Sequence, residues 1–197
     1  FPQQYAWQQQ RPIDRREKKY FGITTYGGYY EHAGKKYVPS WGGSLFEALM
    51  PTLVLPEKER APEGLGLNDA VHTRIHIDYA LGELGYPVWG LSPSSVPGAG
   101  YGEFGIPFLG SRGYGPGVVT PHVTFLALEF FPQEAVKNLR KFLELYDIYG
   151  ECGFYDAVNP LNGQVAYRYL ALDQGMILIA LDNYLNDGAI RKRFTRD

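Results

Sequence analysis

The hydrophobic and polar positions of this chain predict helices separated by long loops. Apolar residues recur at helical spacing in several stretches, whereas residues 20–30 are β-branched and aromatic, which predicts a short strand or hairpin before a turn at 31–37. Strands and helices do not alternate regularly, so the pattern disfavours a parallel α/β sheet. The predicted helices cover about 44–55, 68–84, 120–130, 132–146 and 169–185.

Capping residues define the ends of these helices. Ser44 can cap the first helix, and Pro51 should kink or end it. Asn68 is expected to cap the second helix, with Gly85 closing it, and Thr120 followed by proline is a good start for the third.

Two segments carry expectations about packing. Residues 85–118 form the longest irregular region, and their interleaved aromatic and aliphatic residues predict an ordered, packed loop. The last predicted helix is apolar nearly all round, so we expect it to be buried on most sides.

Composition excludes several classes of function. The 197 residues suit one domain or a large piece of one. A net charge of −2 gives no electrostatic case for nucleic acid, and no apolar run is long enough for a membrane span. The one cysteine, Cys152, cannot form an internal disulfide.

Motifs for nucleotide binding and acyl transfer are weak or missing. The GxGxxG match at 100–105 lacks the flanking strand and helix that a dinucleotide site needs, and no GxSxG or P-loop occurs. His72 and His76 share a helix face, which we interpret as solvated rather than metal-binding. His122, beside a predicted helix start and the long loop, is the better site candidate.

Carboxylates are the remaining candidates for chemistry. Glu47 lies among Leu45, Phe46, Leu49 and Met50, where an acid is either a hydrogen-bonded anchor or a group with a tuned pKa. Glycoside cleavage needs a proton donor and a second carboxylate. The other acids in apolar or glycine-rich settings are Glu103, Glu129, Asp156 and Asp173, and each could instead cap a turn, bond a helix neighbour or face solvent.

Six spaced motifs, which run through residues 20–195 in consistent order, resemble the glycoamylase-like domain. That domain occurs in bacterial proteins described as "putative glucoamylases" and is similar to endo-β-1,2-glucanases and to the transglycosylating domain of cyclic β-1,2-glucan synthases. The motifs are WGGSLFEALMP (41–51), PVWGLSPS (87–94), YGEFGIPFLGSRGY (101–114), VVTPHVTFLAL (118–128), YGECGFYDAVNP (149–160) and YLALDQGMILIALDNYL (169–185).

The resemblance implies an all-α fold of the (α/α)6-toroid type with minor short β segments. Such a toroid has about twelve helices, and this sequence predicts five or six, so the chain is expected to be the C-terminal half. An upstream half or a second chain would complete the ring. Residues 1–19 would be an arm or the joint to an upstream segment, and residues 20–197 the domain.

The motif positions imply the site residues. The resemblance assigns acids of the catalytic motifs to Glu47, Asp156 and Asp173, and it implies no cofactor or metal. Pro93 stands where the glucan-synthase branch has an acid, which favours the glucoamylase-like branch. The residues expected to stack on sugar rings or bond hydroxyls are Trp41, Trp89, Tyr101, Phe104, His122, Tyr155, Arg168 and Gln174.

The expected function is therefore a glycoside hydrolase acting on a glucan by carboxylate acid/base catalysis. The resemblance slightly favours a periplasmic or extracellular location. Two alternatives stay open from the sequence: a non-catalytic carbohydrate-binding or scaffold module, and a structural helical domain in which Glu47 is a buried anchor.

Overall fold

The structure, a computed structural model, describes residues 16–196 and is helix-rich with short strands. The α-helices are α1 (Leu45–Leu49), α2 (Glu57–Arg60), α3 (Leu65–Asp78), α4 (His122–Leu126), α5 (Pro132–Leu145), α6 (Ala171–Leu185) and α7 (Ala189–Phe194). Helical turns of other types, Met50–Leu53, Tyr79–Glu83 and Ala127–Glu129, extend α1, α3 and α4. In the described range no helix has the length and apolar character to cross a membrane.

The strands pair as separate antiparallel hairpins. They are β1 (Arg16–Tyr20) with β2 (Ile23–Gly27), β3 (Tyr30–His32) with β4 (Lys35–Tyr37), β5 (Ser94–Ser95) with β6 (Tyr101–Gly102), β7 (Tyr149–Gly150) with β8 (Gly153–Phe154), and β9 (Ala157–Val158) with β10 (Val165–Ala166). The predicted arm 1–19 lies largely outside the described residues, and its last four residues belong to β1.

The predicted β region is confirmed, and it is larger than expected. The segment predicted as a simple turn, 31–37, contributes most of the hairpin β3–β4, whose two-residue connection has positive φ at both Ala33 (48°) and Gly34 (74°). Positive φ at both central residues gives the turn the twist of the flanking strands.

The first helix follows its prediction closely. Ser44 accepts a hydrogen bond from the Glu47 amide, and Glu47 reaches back to the Ser44 amide, which completes a capping box. The α-helical hydrogen bonding ends at Leu49, and Pro51 lies in the first turn of the tighter helix that follows.

The capping prediction for the second helix is wrong at its start. Helix α3 begins earlier, after Gly64, and Asn68 lies inside its first two turns. The Asn68 side chain instead holds the chain after β4, because its Oδ1 accepts from Val38 N at 2.8 Å. At the other end Gly85 has a φ of +65° just after the helical stretch, as expected for a closing glycine.

Helix α6 has the predicted extent, but it is buried on one side only. Its inner face, with Met176 and Ala180, packs against α4. The opposite stripe is exposed at Leu178 and Leu185, with accessible fractions of 69% and 71%, and Leu172 in the first turn is 63% exposed. The expectation of burial on most sides is therefore wrong for the described part of the chain, since no described element covers this stripe.

The predicted packed loop, 85–118, is confirmed. Leu91, Ile106 and Leu109 are fully buried in the main core together with residues of α1, α3 and α4. The loop also closes tightly on the segment before α1, where Ile106 N donates to Gly43 O at 2.9 Å and Tyr114 N donates to Gly42 O at 2.7 Å.

Candidate active site

Three predicted site residues meet where α4 and α6 begin beside strand β9. His122 is the first residue of α4, Asp173 lies in the first turn of α6, and Asp156 immediately precedes β9. Backbone pairing holds the segment before α4 beside β9, because Val119 and Val158 exchange two hydrogen bonds of 2.9 Å, and α4 packs against α6.

The cluster is buried and closely spaced. The accessible fractions of His122, Asp156 and Asp173 are only 2%, 2% and 5%. The His122 Nδ1 atom lies 3.1 Å from Asp173 Oδ2, and the two carboxyl groups are near enough for a shared hydrogen bond. Each of the three side chains offers one ligand-type atom within 4.8 Å of the others, so this is also where a metal ion would find ligands.

Two carboxyl groups in such a site cannot both be ionised without a large cost, so they titrate as a pair. Burial, followed by the hydrogen bond that protonated Asp156 donates to Asp173, raises the pKa of Asp156 to about 6. Burial opposes ionisation of Asp173 as well, but the hydrogen bond and charge of His122 outweigh it and hold the pKa of Asp173 below its usual value. The pair therefore carries one proton, on Asp156, in mildly acidic solution.

Aromatic residues of the long loop border this cluster. Tyr101, in β6, is 61% exposed, and burial together with the charges of Asp173, Asp156 and Glu103 raises its pKa. Phe104 packs against Val118, Ala157 and Ala166, directly behind Asp156. The Tyr101 ring is thus exposed to solvent beside the acids, whereas the Phe104 ring packs against the small hydrophobic cluster next to them.

The other predicted residues near Asp156 lie in the segments that surround it. Tyr155 stacks on Tyr169, with ring centroids 4.8 Å apart and planes 27° apart. Gln174 donates through Nε2 to Phe154 O at 2.9 Å, and the Arg168 carbonyl accepts from Asp156 N at 2.9 Å. Arg168 and Gln174 therefore hold the loop that carries Asp156, and the Arg168 side chain is exposed.

Glu47 has a full set of local hydrogen bonds. Its carboxylate accepts from Ser40 Oγ at 2.8 Å, from Gly42 N at 2.8 Å and, in the capping box, from Ser44 N at 3.4 Å. Its neighbour Phe46 faces the His122 ring edge-on, with centroids 6.4 Å apart. These contacts favour the anchor interpretation of Glu47. Its carboxylate holds the loop between Ser40 and Ser44 onto the start of α1.

The two predicted tryptophans differ in accessibility. Trp41 is 40% exposed and can offer its ring to a ligand. Trp89 is 2% exposed, and Asn138 bonds both its amide and its carbonyl group, at 3.1 Å and 2.8 Å. Stacking of Trp89 on a sugar is therefore not possible in this conformation, because the ring is part of the core.

The two histidines interpreted as solvated are buried, so that interpretation is wrong. His72 and His76 are 1% and 0% exposed, and each Nε2 bonds a distant carbonyl, Val38 O at 2.8 Å and Gly43 O at 3.1 Å. Burial lowers the pKa of both, to about 3 for His76. They are core residues that hold the segment before α1 onto α3.

Two functional contacts were not predicted from the sequence. Thr120, expected to cap α4, instead places Oγ1 2.7 Å from His122 Nδ1. Ser95 donates its backbone amide to Asp156 Oδ2 at 2.6 Å. A two-residue separation between Thr120 and His122 could have suggested the first contact, whereas Ser95 is 61 residues from Asp156 and no local pattern indicates the second.

Comparison with known proteins places the chain in a family. The family model described as "Putative glucoamylase" matches residues 12–197. The chain belongs to this family. The predicted resemblance to the glycoamylase-like domain is thereby confirmed.

Similar proteins of this group differ in size. Cyclic beta-(1,2)-glucan synthase NdvB of Rhizobium meliloti (strain 1021) is 33% identical over 174 residues, which are 80% of this chain and 6% of that protein. The crystal structure described as a "putative glucoamylase" from Bacteroides uniformis is 28% identical with a TM-score of 0.67, over 91% of this chain and 42% of that chain. The beta-1,2-glucanase from Parabacteroides distasonis, 20% identical with a TM-score of 0.70 over 84% of this chain and 25% of that one, shares the fold. The chain thus spans less than half the length of these relatives.

The anchor interpretation of Glu47 makes a testable prediction. Glu47→Gln replaces a charged acceptor of several hydrogen bonds by a neutral amide, so we expect the free energy of unfolding to fall by about 1–3 kcal/mol. Thermal denaturation of the variant beside Ser44→Ala, which removes the other half of the capping box, measures this loss. An unchanged melting temperature together with a large loss of turnover would instead identify Glu47 as a catalytic acid.

Proposed function

We propose that this protein is a glycoside hydrolase acting on a glucan, with the buried Asp156–Asp173 pair as one of its two carboxyl functions. The observation that carries the proposal is that these two acids are buried side by side, in surroundings that shift their pKa values in opposite directions. Pairs of titratable groups whose surroundings push their pKa values apart are typical of acid/base catalysis. The relatives described as glucanase, glucan synthase and glucoamylase support a glucan as substrate.

The distance between the carboxyl groups of Asp156 and Asp173 indicates which catalytic role each of them can have. Carboxyl groups that flank a scissile bond are about 5–5.5 Å apart in retaining enzymes and farther in inverting ones. Asp156 and Asp173 offer oxygens within 4.8 Å and share a hydrogen bond, so they act from one side. In this proposal Asp156 donates a proton to the glycosidic oxygen, and Asp173 stays anionic beside it.

A second carboxylate then has to face the pair across the substrate. Within the described residues Glu103 is the first candidate, because its charge acts on Tyr101 together with those of Asp173 and Asp156. Glu47 is the second candidate, since its charge acts with that of Glu103 on Tyr114. Glu103 also accepts a hydrogen bond from the Tyr114 hydroxyl at 3.2 Å. Trp41 and Tyr101 would provide exposed rings for sugar stacking between the two sides.

We also propose that the chain forms one half of an (α/α)6 toroid. The apolar stripe of α6, with Leu178 and Leu185 exposed, is a surface that helices of a larger domain would cover. The greater length of the solved relatives supports the same proposal, since this chain covers 42% of the Bacteroides uniformis protein.

A non-catalytic carbohydrate-binding module is the second candidate. The observation in its favour is the short distance between Asp156 and Asp173, which leaves them on one side of any bound glycan. If no second carboxylate meets the pair, the exposed aromatic residues would bind sugar without cleaving it.

The experiment is a glucan panel assayed with the longest native polypeptide that carries this chain. Linear β-1,2-, β-1,3-, β-1,4- and α-1,4-glucans are incubated with it, and new reducing ends are quantified. We expect release of reducing ends from one linkage class, with the β-1,2-glucan as the first candidate. Binding of a glucan without release would establish the module, and neither binding nor release would refute both functions.

A further inference from the structure

The cluster of His122, Asp156 and Asp173 contains buried polar atoms that the described chain does not satisfy. His122 Nε2, Asp156 Oδ1 and Asp173 Oδ2 are all buried, and none of them has a well-aligned hydrogen bond within residues 16–196. Buried polar atoms in folded proteins nearly always have a partner, so each exception requires an explanation. Here three exceptions lie on three side chains that are in one place.

Each of these side chains is fixed by a contact that leaves an unsatisfied atom free. Ser95 N donates to Asp156 Oδ2 at 2.6 Å, which leaves Oδ1 of that carboxyl group. Thr120 Oγ1 lies 2.7 Å from His122 Nδ1, which leaves Nε2 of the ring. Asp173 is held in the first turn of α6, where its Oδ2 lies 3.1 Å from His122 Nδ1. Hydrogen bonds to the other polar atom orient metal-binding histidines and carboxylates in the same manner.

The two acids also lack a basic side chain to balance them. Among the ion pairs of the described residues, none joins a Lys or Arg to Asp156 or Asp173. Buried acids are normally paired with a cation or coordinate a metal ion. A water molecule would satisfy a single polar atom, but only a cation also balances two carboxyl groups.

The donor set and its spacing suit a divalent transition-metal ion. One ligand-type atom of each side chain lies within 4.8 Å of the others. The ligand atoms of a tetrahedral zinc ion, bonded at about 2.0–2.2 Å, are roughly 3.3–3.6 Å apart, so shifts of about 1 Å would close the three side chains around an ion. An imidazole ring favours Zn2+ and similar ions, whereas Ca2+ takes about six to eight oxygen ligands. The charges of both acids act on Tyr101, which is 61% exposed, so the cluster lies close to solvent.

We propose that His122, Asp156 and Asp173 together bind one divalent transition-metal ion of the zinc type. Three protein ligands leave the fourth position of a tetrahedral ion to water. The proposal goes beyond the proposed function, because it needs only the contacts within this cluster. It also has a consequence for that function: an Asp156 carboxylate that is bound to an ion has no proton to donate, so the ion should inhibit hydrolysis.

The test is calorimetric titration of ZnCl2 into the native polypeptide that carries this chain, after EDTA has removed bound metals. All variants carry Cys152→Ser as well, because Cys152 is an exposed free thiol that binds zinc by itself. We expect one binding event that Asp173→Asn and His122→Gln each weaken by about a hundredfold or more. Thr120→Val, which removes only the group that orients the ring, should weaken it by about tenfold.

His72→Gln is the matched control, because His72 is an equally buried histidine outside the cluster, and its Nε2 contacts a carbonyl group. It should bind zinc as the Cys152→Ser protein does. Melting temperatures keep the comparison valid for a less stable variant, since ZnCl2 should raise that of His72→Gln and not that of Asp173→Asn.

Two results would overturn the proposal: no binding at millimolar ZnCl2, or equal binding in His122→Gln, Asp173→Asn and the control. Binding of CaCl2 or MgCl2 as tight as that of ZnCl2 would also overturn it, since the cluster would then prefer ions with oxygen ligands.

Glucan hydrolysis provides a separate readout. If the polypeptide is active, ZnCl2 should inhibit it at concentrations that match the dissociation constant from calorimetry, and EDTA should restore the rate. Stimulation by zinc would refute Asp156 as the proton donor and leave the metal site standing. Absence of hydrolysis would refute the proposed function, while calorimetry decides the metal site by itself. The two proposals therefore fail in distinguishable ways.

Discussion

Asp156→Asn is expected to reduce glucan hydrolysis by about a hundredfold to ten-thousandfold, because the amide has no acidic proton to transfer to the leaving oxygen. Asp173→Asn should cause a loss of similar order, since it removes the anion beside the proton donor. Initial rates on the preferred glucan, determined by reducing-end release, measure both effects. Circular dichroism and the melting temperature establish that the variants remain folded.

Asp182→Asn is the matched control for these variants. Asp182 lies on the same helix as Asp173 but at the surface end, where its carboxylate accepts a hydrogen bond from Asn186 at 2.8 Å. We expect its activity to stay within about twofold of the unmodified protein, in line with the small effects of surface substitutions. Equal activity in all three variants would remove the acid pair from the mechanism.

The dependence of the rate on pH provides an independent check. A proton donor works only while it is protonated, and burial raises the pKa of Asp156 to about 6. The rate should therefore fall as the pH rises through about 6. Residual activity in Asp156→Asn should lack that limb, whereas an unaltered limb would assign the titration to another group.

Local patterns were sufficient to predict the helix that carries Glu47. Ser44 and Glu47 are three residues apart, so both partners of the capping box are visible in the sequence, and Pro51 marks the end of the α-helical bonding. The same holds for α5, whose proline start and amphipathic pattern define it without help from the rest of the chain. Interactions within a few residues are those that a sequence displays directly.

Whether certain side chains are buried or exposed depends on partners that are distant in sequence. His72 and His76 have the spacing of a solvated helix face, yet they bond carbonyl groups 34 and 33 residues away. In the reverse sense, Leu178 has the character of a core residue and is exposed, because the described chain provides nothing to cover it. Side-chain polarity alone could not distinguish these cases.

Sequence motifs identified the residues of the candidate site, but they could not predict the contacts between them. His122, Asp156 and Asp173 were each identified from motifs, but their mutual contact depends on the pairing of Val119 with Val158 and on the packing of α4 against α6. The anchoring role of Glu47 and the burial of Trp89 are likewise consequences of packing. A motif shows that a residue type is present, and only the fold shows which side chains lie next to one another.

A second buried acid should give this protein a strong dependence of stability on pH. Asp69, on α3, is 3% exposed, and burial followed by the charge of Glu57 raises its pKa to about 8. Asp69 is therefore protonated in the folded protein up to about pH 8, whereas the unfolded chain loses this proton near pH 4. Between these values the folded state binds more protons, so its stability falls as the pH rises.

Asp69→Asn should remove that dependence, because the amide can donate to Glu57 as the protonated acid does and cannot ionise. We expect the variant and the unmodified protein to be similarly stable near pH 4. By pH 8 the variant should be more stable by on the order of 3 kcal/mol. Each unit of pKa shift corresponds to about 1.4 kcal/mol, and we expect less than the sum over the whole shift because buried sites relax and admit water. Urea unfolding at intervals from pH 4 to pH 9 measures the difference.

Asp78→Asn is the control on the same helix, where the carboxylate is half exposed and lies 3.3 Å from Lys35. Loss of such a surface pair should change stability by less than about 1 kcal/mol at any pH. Parallel curves for Asp69→Asn and the unmodified protein would show that Asp69 is already ionised in the folded state.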